Sequence, residues 1–216
     1  GGKELLMGVT PNGQSCAHSA AVGGHAEALR TLHELLGVEL LTMVMKDGTS
    51  CAHLAAGGGH LEALRVLYEV AGKELLMMTV HDGQSCAHVA AVGGHVEAIR
   101  MLFDVGGKEL LMGVTPNGQS CAHSAAVGGH AEALRTLHEL LGVELLTMVM
   151  KDGTSCAHLA AGGGHLEALR VLYEVAGKEL LMMTVHDGQS CAHVAAVGGH
   201  VEAIRMLFDV GGKELL

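Results

Sequence analysis

Residues 1–111 recur letter for letter as residues 106–216, so the chain is one 105-residue block written twice with six residues to spare. Inside the block a looser period of 35 runs three times. A period of roughly 20–50 residues marks an array in which one supersecondary unit stacks on the next. It displaces the ordinary expectation for 216 residues, which is one or two closed domains. The units run 12–46, 47–81, 82–116, 117–151, 152–186 and 187–216, with residues 1–11 an incomplete unit ahead of them. Together they read as one elongated domain, 1–216. The chain opens mid-unit and without Met, so it reads as a stretch of a longer periodic object or as a block copied end to end.

Each unit reads as helix–turn–helix. In the first, Ser15 is a good N-cap, its hydroxyl able to accept from a backbone N–H of the first helical turn. Cys16 to Val22 then make about two turns, with Ala20 and Ala21 small enough for a neighbour to approach closely. Gly24 supplies the left-handed residue that closes a helix. A second helix starts at about His25 and runs to about Leu36. It carries Ala28, Leu29, Leu32, Leu35 and Leu36 at helical spacing, which predicts one buried stripe. Glu27, Arg30 and Glu34 fall on its outer face, where pairs are worth roughly 0.2–0.5 kcal/mol each. Neither helix could stand alone, because isolated helices below about 12–15 residues are marginal in water. Each unit therefore has to bury its stripe on the next. Ser50, His53, Gly59 and His60 take the same places in the second unit, and Ser85, His88, Gly94 and His95 in the third.

The string Asp82-Gly83-x-Ser85-x-x-His88-x-Ala90-Ala91-x-x-Gly94-His95-x-Glu97 resembles the ankyrin repeat, and the likeness recurs six times in register over the whole chain. The resemblance implies an all-α solenoid of helix–loop–helix units with β-hairpins projecting sideways. It implies protein–protein binding through hairpin tips and the inner helical face, without catalysis. It also implies that His18, His53 and His88 bond the neighbouring Ser hydroxyl and backbone. Departures from the pattern carry their own expectations. Ser15-Cys16-Ala17-His18 stands where the family has T-P-L-H, so a core Leu becomes Ala and the core must be filled from elsewhere. The unit is 35 residues rather than about 33. The extra length falls between the second helix and the hairpin tip, and there is no polar capping unit.

That extra segment is apolar, as in Glu39-Leu40-Leu41-Thr42-Met43-Val44-Met45. One Leu of each Leu-Leu pair is expected to pack beneath the helices. Leu6, Met7, Val9, Leu41, Met43, Met45, Leu76, Met78 and Val80 then form a strip free to face a partner or another copy of the array. The hairpin tips differ between units, with Pro11 and Asn12, Lys46 and Asp47, and His81 and Asp82 as the variable pairs. At one position of the second helix stand His33, Tyr68 and Phe103. The two aromatics are either partner anchors or packing between units.

Composition closes several alternatives. A net charge of −10 argues against nucleic acid as the main partner. No uninterrupted apolar run approaches the roughly 18–20 residues of a membrane span. Twelve of the 16 histidines fall into the two ladders His18/His53/His88 and His25/His60/His95 with their copies. Cys16 and His18, two residues apart on a helical turn, point apart and make a poor metal pair. Cysteines one unit apart stand at a helix–helix spacing of about 10 Å, beyond the roughly 7 Å that a disulfide allows, and read as small buried fillers. No H-E-x-x-H, G-x-S-x-G or phosphate-binding loop appears, and Gly57-Gly58-Gly59 reads as a helix-to-helix turn. No enzyme, cofactor or metal is expected, and the compartment is not encoded. Two functions follow. The first is a structural array that stacks head to tail on copies of itself, since a contact that does not close makes a fibre. The alternative is a protein-binding module. Full protonation of the histidines would move the formal charge from −10 to +6, and unperturbed His titrates near pH ~6.5, so assembly or solubility should change between about pH 5 and 7.

Overall fold

The computed structural model describes residues 2–212. The chain falls into two compact units, Gly1–Gly113 and Val114–Leu216, each built from the same kind of repeat. Among the described residues there is no β-sheet, only isolated antiparallel bridges such as Val44 with Ser50 and Val149 with Ser155. This is an all-α solenoid architecture.

In the first unit a short helix, Gly2–Met7, precedes the repeats. The first helices of the repeats are Cys16–Val22, Cys51–Gly57 and Cys86–Val92. They begin where they do because Ser15 and Ser50 hold extended backbone and accept a hydrogen bond from the N–H of His18 and His53. They end one glycine short of Gly24, Gly59 and Gly94, which lie at φ +68°, +67° and +70°. An L side chain avoids that region. The second helix of the first repeat is Ala26–Leu36. In the next two repeats the helical stretches Leu61–Leu76 and Val96–Met112 bend at Gly72 and Gly107, at φ +74° and +67°. First helices stack on first helices and second on second. The stripe between them buries Leu29, Leu64, Leu67, Ile99 and Leu102 completely, each stabilising the fold by roughly 1.5–3 kcal/mol. Leu32 joins the stripe as expected, whereas Ala28 and Leu35 are exposed, Leu35 at 64%. The corresponding Ala63 is buried once a full repeat lies before it.

The second unit repeats this plan with first helices Cys121–Val127, Cys156–Gly162 and Cys191–Val197. Its second helices are Ala131–Leu141, Leu166–Ala176 and Val201–Gly211. Here the residues that lengthen the repeat are plain to see. After Gly142 and Gly177, at φ +77° and +79°, the chain turns into short helices Val143–Leu146 and Lys178–Leu181.

That turn corrects one expectation. The added residues are not an apolar hairpin arm: in the repeats that follow the incomplete leading unit both leucines of each pair go inside, whereas Leu5 of that leading unit is 84% exposed. Leu40, Leu41, Leu76, Leu145, Leu146 and Leu181 are fully buried and Leu75 nearly so. Lys178–Leu181 packs on the first helix of its own repeat and on Val201–Gly211 of the next. It brings leucines to a core whose first helices bury small residues, with Ala122 and Ala157 where the resembling pattern has leucine. The extra length thus supplies the volume that the Leu-to-Ala departure removes.

The hairpin tips are tight turns. Gly13, Gly48 and Gly83 donate their N–H to the carbonyls of Thr10, Met45 and Val80, three residues back. Each of these glycines sits at φ +85° to +89°. Neighbouring tips are joined by main-chain hydrogen bonds: Lys46 N–H donates to Asn12 O at 2.9 Å and His81 N–H to Asp47 O at 2.8 Å. In the second unit Lys151 and His186 repeat those bonds to Asn117 and Asp152.

Candidate functional site

The Ser-x-x-His pairs form a modified helix cap. The Ser15 N–H donates to His18 Nδ1 at 3.2 Å, and the Ser15 hydroxyl lies 2.8 Å from the same nitrogen. A backbone N–H can only donate, so Nδ1 is the bare nitrogen and Nε2 carries the proton. His18 spends that proton on the carbonyl of Thr49, one repeat on, at 3.3 Å. His123 does the same to Thr154. His53 and His158 share the Nδ1 arrangement, with Ser50 and Ser155 at 2.8 Å, but their buried Nε2 atoms have no hydrogen-bond partner. The carbonyls of Gln84 and Met78 lie toward the His53 ring and offset part of its burial, without making that bond. Burial holds the pKa of His18, His53 and His158 below the ordinary 6.5.

His53 and His158 each line an apolar recess of their unit. In the first, a cleft of about 400 Å³ is walled by Val22, Leu54, Val80 and Val89, floored by Gly57 and Gly58, and edged by Thr49, His53, Asp82 and Gln84. In the second, a cleft of about 430 Å³ repeats it with Val127, Leu159, Val185, Val194, Gly162 and His158. Each lies between first helices and hairpins of successive repeats. Clefts of roughly 300–1,000 Å³, mostly apolar with a few placed polar groups, are the usual form of a binding site.

The comparisons place this geometry. A family model described as ankyrin repeats (3 copies) matches residues 53–148 and 134–215, and one described as ankyrin repeats (many copies) matches residues 17–68. The chain belongs to the ankyrin repeat family. A search of curated proteins finds no match for it. Ankyrin repeat proteins are generally non-enzymatic modules for binding other proteins.

Within this ankyrin array the residues singled out from sequence separate into groups. The tips Pro11, Asn12, Lys46, Asp47, His81 and Asp82 are all exposed. Asp47 accepts from the Thr49 N–H at 2.9 Å, and hydrogen bonds from the Thr49 side chain and backbone hold its carboxyl below the usual range. Tyr68 and Phe103 are half-buried on second helices and do not share the cleft with the tips. The copy Tyr173 instead lines a charged recess between second helices with Arg170, Glu174 and Arg205. The aromatics and the tips therefore belong to different faces.

The expected apolar strip is thinner than its sequence. Leu41 and Leu76 are fully buried and cannot meet a partner. Leu6, Met7, Met43, Met45, Met78 and Val80 are half-buried, and only Val9 of the strip is exposed, at 50%. Val80 belongs to the cleft wall. Ser15, His18, Ser50, His53, Ser85 and His88 are buried, and Gly24, Gly59 and Gly94 turn each repeat between its helices. His60 and His95 reach back to the repeat before, their Nε2 atoms 2.8 and 2.9 Å from Val22 O and Gly57 O. His25 is exposed. Sequence reasoning passed over Gly57, treating it only as part of a turn. Its one signal was the comparison with Val22 and Val92 at the same place in the flanking repeats.

Five cysteines are buried and none of the six forms a disulfide. Burial pushes the thiols of Cys51, Cys86, Cys121 and Cys191 up to about 12, far from a reactive thiolate. Among the described residues no three His, Cys, Asp or Glu side chains gather as a metal group, and no helix is long and apolar enough to cross a membrane.

Proposed function

We propose that the chain is a protein-binding ankyrin array whose working face is the side made by first helices and hairpins. The observation that carries this reading is the recurrence of one apolar cleft, with a buried imidazole at its edge, in both units. Exposed tips with varied side chains stand beside it, and their backbone is fixed by hydrogen bonds between neighbours. Such a face offers a rigid main chain with changeable contacts, which keeps the ordering cost of association low. Because the tips repeat every three units, a periodic or multivalent partner suits it better than one asymmetric target.

Panning a displayed random-peptide library against the chain tests the reading. Selected peptides should slow amide exchange at Leu54, Val89 and the hairpins. Peptides that protect only the second helices around Tyr68 and Phe103, or a library that yields no specific binder, would overturn it.

Self-association along the apolar strip is the second reading, favoured by the exposure of Val9 at 50% and, beside the strip, of Val44 and Val149 at 40% and 41%. The burial of Leu41 and Leu76 removes two of its strongest contributors. Negative-stain microscopy at micromolar concentration separates the two. Long filaments favour assembly, and discrete short particles favour the binding module.

A further inference from the structure

We infer that the recess at Gly57, with its copy at Gly162, is an anchor pocket for a single aliphatic side chain of a partner segment carrying a cation next to that side chain. The inference rests on the protein-binding reading above and narrows its chemistry.

Gly57 holds the place that Val22 and Val92 hold in the flanking repeats. Nothing in the backbone requires glycine there. Gly57 is the last residue of the helix Cys51–Gly57 and is not among the glycines with positive φ. A Cβ built on it would meet only Val89 Cβ, at 3.7 Å, and one on Gly162 only Val194 Cβ, at 3.8 Å. Both are ordinary contacts. This differs from Gly24 and Gly59, where a Cβ would lie 2.5 and 2.4 Å from a neighbouring imidazole. The missing side chain is thus optional for the fold, and its absence is what leaves the floor of the cleft open. The walls that remain, Val22, Leu54, Val80 and Val89, present branched aliphatic surface, which suits an aliphatic side chain.

Two polar groups define what must come with it. His53 is 3% exposed, and its Nε2–H makes no hydrogen bond, the carbonyls of Gln84 and Met78 lying toward the ring without completing one. A main-chain carbonyl of the incoming segment would complete it. The same vacancy at His158 occurs in the second cleft. On the rim, Asp82 is held in place by Gln84, whose N–H and Nε2 donate to its two carboxylate oxygens at 3.0 Å each. Gln189 holds Asp187 likewise, at 3.1 and 2.8 Å. A carboxylate fixed beside an apolar pocket, on a chain with a formal charge of −10, complements a Lys or Arg adjacent to the anchor. Opposite charges across such an interface set partner choice and encounter rate.

The test uses heptapeptides Gly-Gly-x-z-x-Gly-Gly with z as Leu, Ile, Ala or Ser and x as Lys or Glu. Binding to the full chain is read from the methyl resonances of Leu54, Leu159, Val89 and Val194. Peptides with Leu or Ile between lysines should shift those methyls and bind at least tenfold more tightly than the Ala, Ser or Glu versions. The double variant Gly57→Val, Gly162→Val should keep its circular dichroism and melting temperature and lose that binding tenfold or more. Equal binding of Leu and Ala peptides, or undiminished binding to the folded double variant, would overturn the anchor pocket. So would self-association of the unliganded chain that the double variant abolishes, because a second copy would then be the occupant. Library-selected peptides that still bind the double variant leave the protein-binding reading standing while the anchor pocket falls. A library without binders removes both.

Discussion

The Nε2 of His60 donates to the carbonyl oxygen of Val22 at 2.8 Å, so the residue that opens one repeat's second helix satisfies the last carbonyl of the preceding repeat's first helix. His165 does this for Val127, and His200 for Gly162. The imidazole fits because Gly24 gives it room: a Cβ there would fall 2.5 Å from His60 Nδ1. The Gly-Gly-His signature is thus one device shared by two repeats, with the glycine in one and the ring in the other.

Gly24→Ala should therefore lower stability by more than about 2 kcal/mol, since a left-handed non-glycine residue alone costs roughly 1–3 kcal/mol and the ring must also move. Gly57→Ala, at a helical position with open space, should leave stability unchanged or raise it by up to about 1 kcal/mol. Urea unfolding of the two variants beside the parent chain reads both. A similar loss in each would refute this account of the glycines.

Acid should destabilise the fold through the capping imidazoles. Burial holds the pKa of His18, His53 and His158 below 6.5 when folded. Below pH 6.5 the unfolded chain binds protons there that the folded chain refuses, so stability is complete above that pH and falls as pH drops toward the folded values. Protonation at Nδ1 would also remove the acceptor that the Ser50 N–H uses. Each such group contributes a slope of up to about 1.4 kcal/mol per pH unit. Urea midpoints at pH 7.5, 6.5 and 5.5 should decline in that order, and a flat series would contradict it.

Ser50→Ala should cost roughly 0.5–2 kcal/mol, the usual range for a lost N-cap, because its hydroxyl serves both the His53 N–H and the His53 ring. Chemical denaturation measures it. Ser50→Thr, which retains the hydroxyl, should recover most of the loss.

Arg30 and Glu69 meet between repeats at 2.9 Å, with 41% and 53% of their side chains exposed. A double-mutant cycle to alanine should return a coupling below about 1 kcal/mol that shrinks in 0.5 M salt. A larger, salt-resistant coupling would mean that the pair is shielded from water.

Thiol labelling should follow burial. Cys16 is half-buried, while Cys51 and Cys86 are buried with thiols near 12. With a disulfide reagent at pH 8, Cys16 should react well before either of the others in the native chain. Simultaneous labelling would point to opening of the first helices.

The sequence was most legible where local chemistry sets local shape. Ser15, Cys16, Val22 and Gly24 mark helix starts and stops that the chain adopts within a residue. The misreading came at Leu41 and Leu76. Their segment follows a second helix and precedes a hairpin, so its apolar run looked like an exposed arm. Gly37 and Gly72 instead reset the backbone for one more helical turn, and that turn faces a core thinned by alanines, a tertiary circumstance that no window of neighbours reveals. The cleft was hidden for a related reason. Gly57 signals nothing by itself, and its meaning depends on Val89 standing 3.7 Å from where its side chain would begin.

Because adjacent tips are tied by main-chain bonds, Lys46 N–H to Asn12 O and His81 N–H to Asp47 O, the scaffold is indifferent to which side chains ride on them. On the proposed binding reading, specificity would be rewritten at Pro11, Lys46 or His81 as type is changed in a composing stick, without recasting the frame that holds the line.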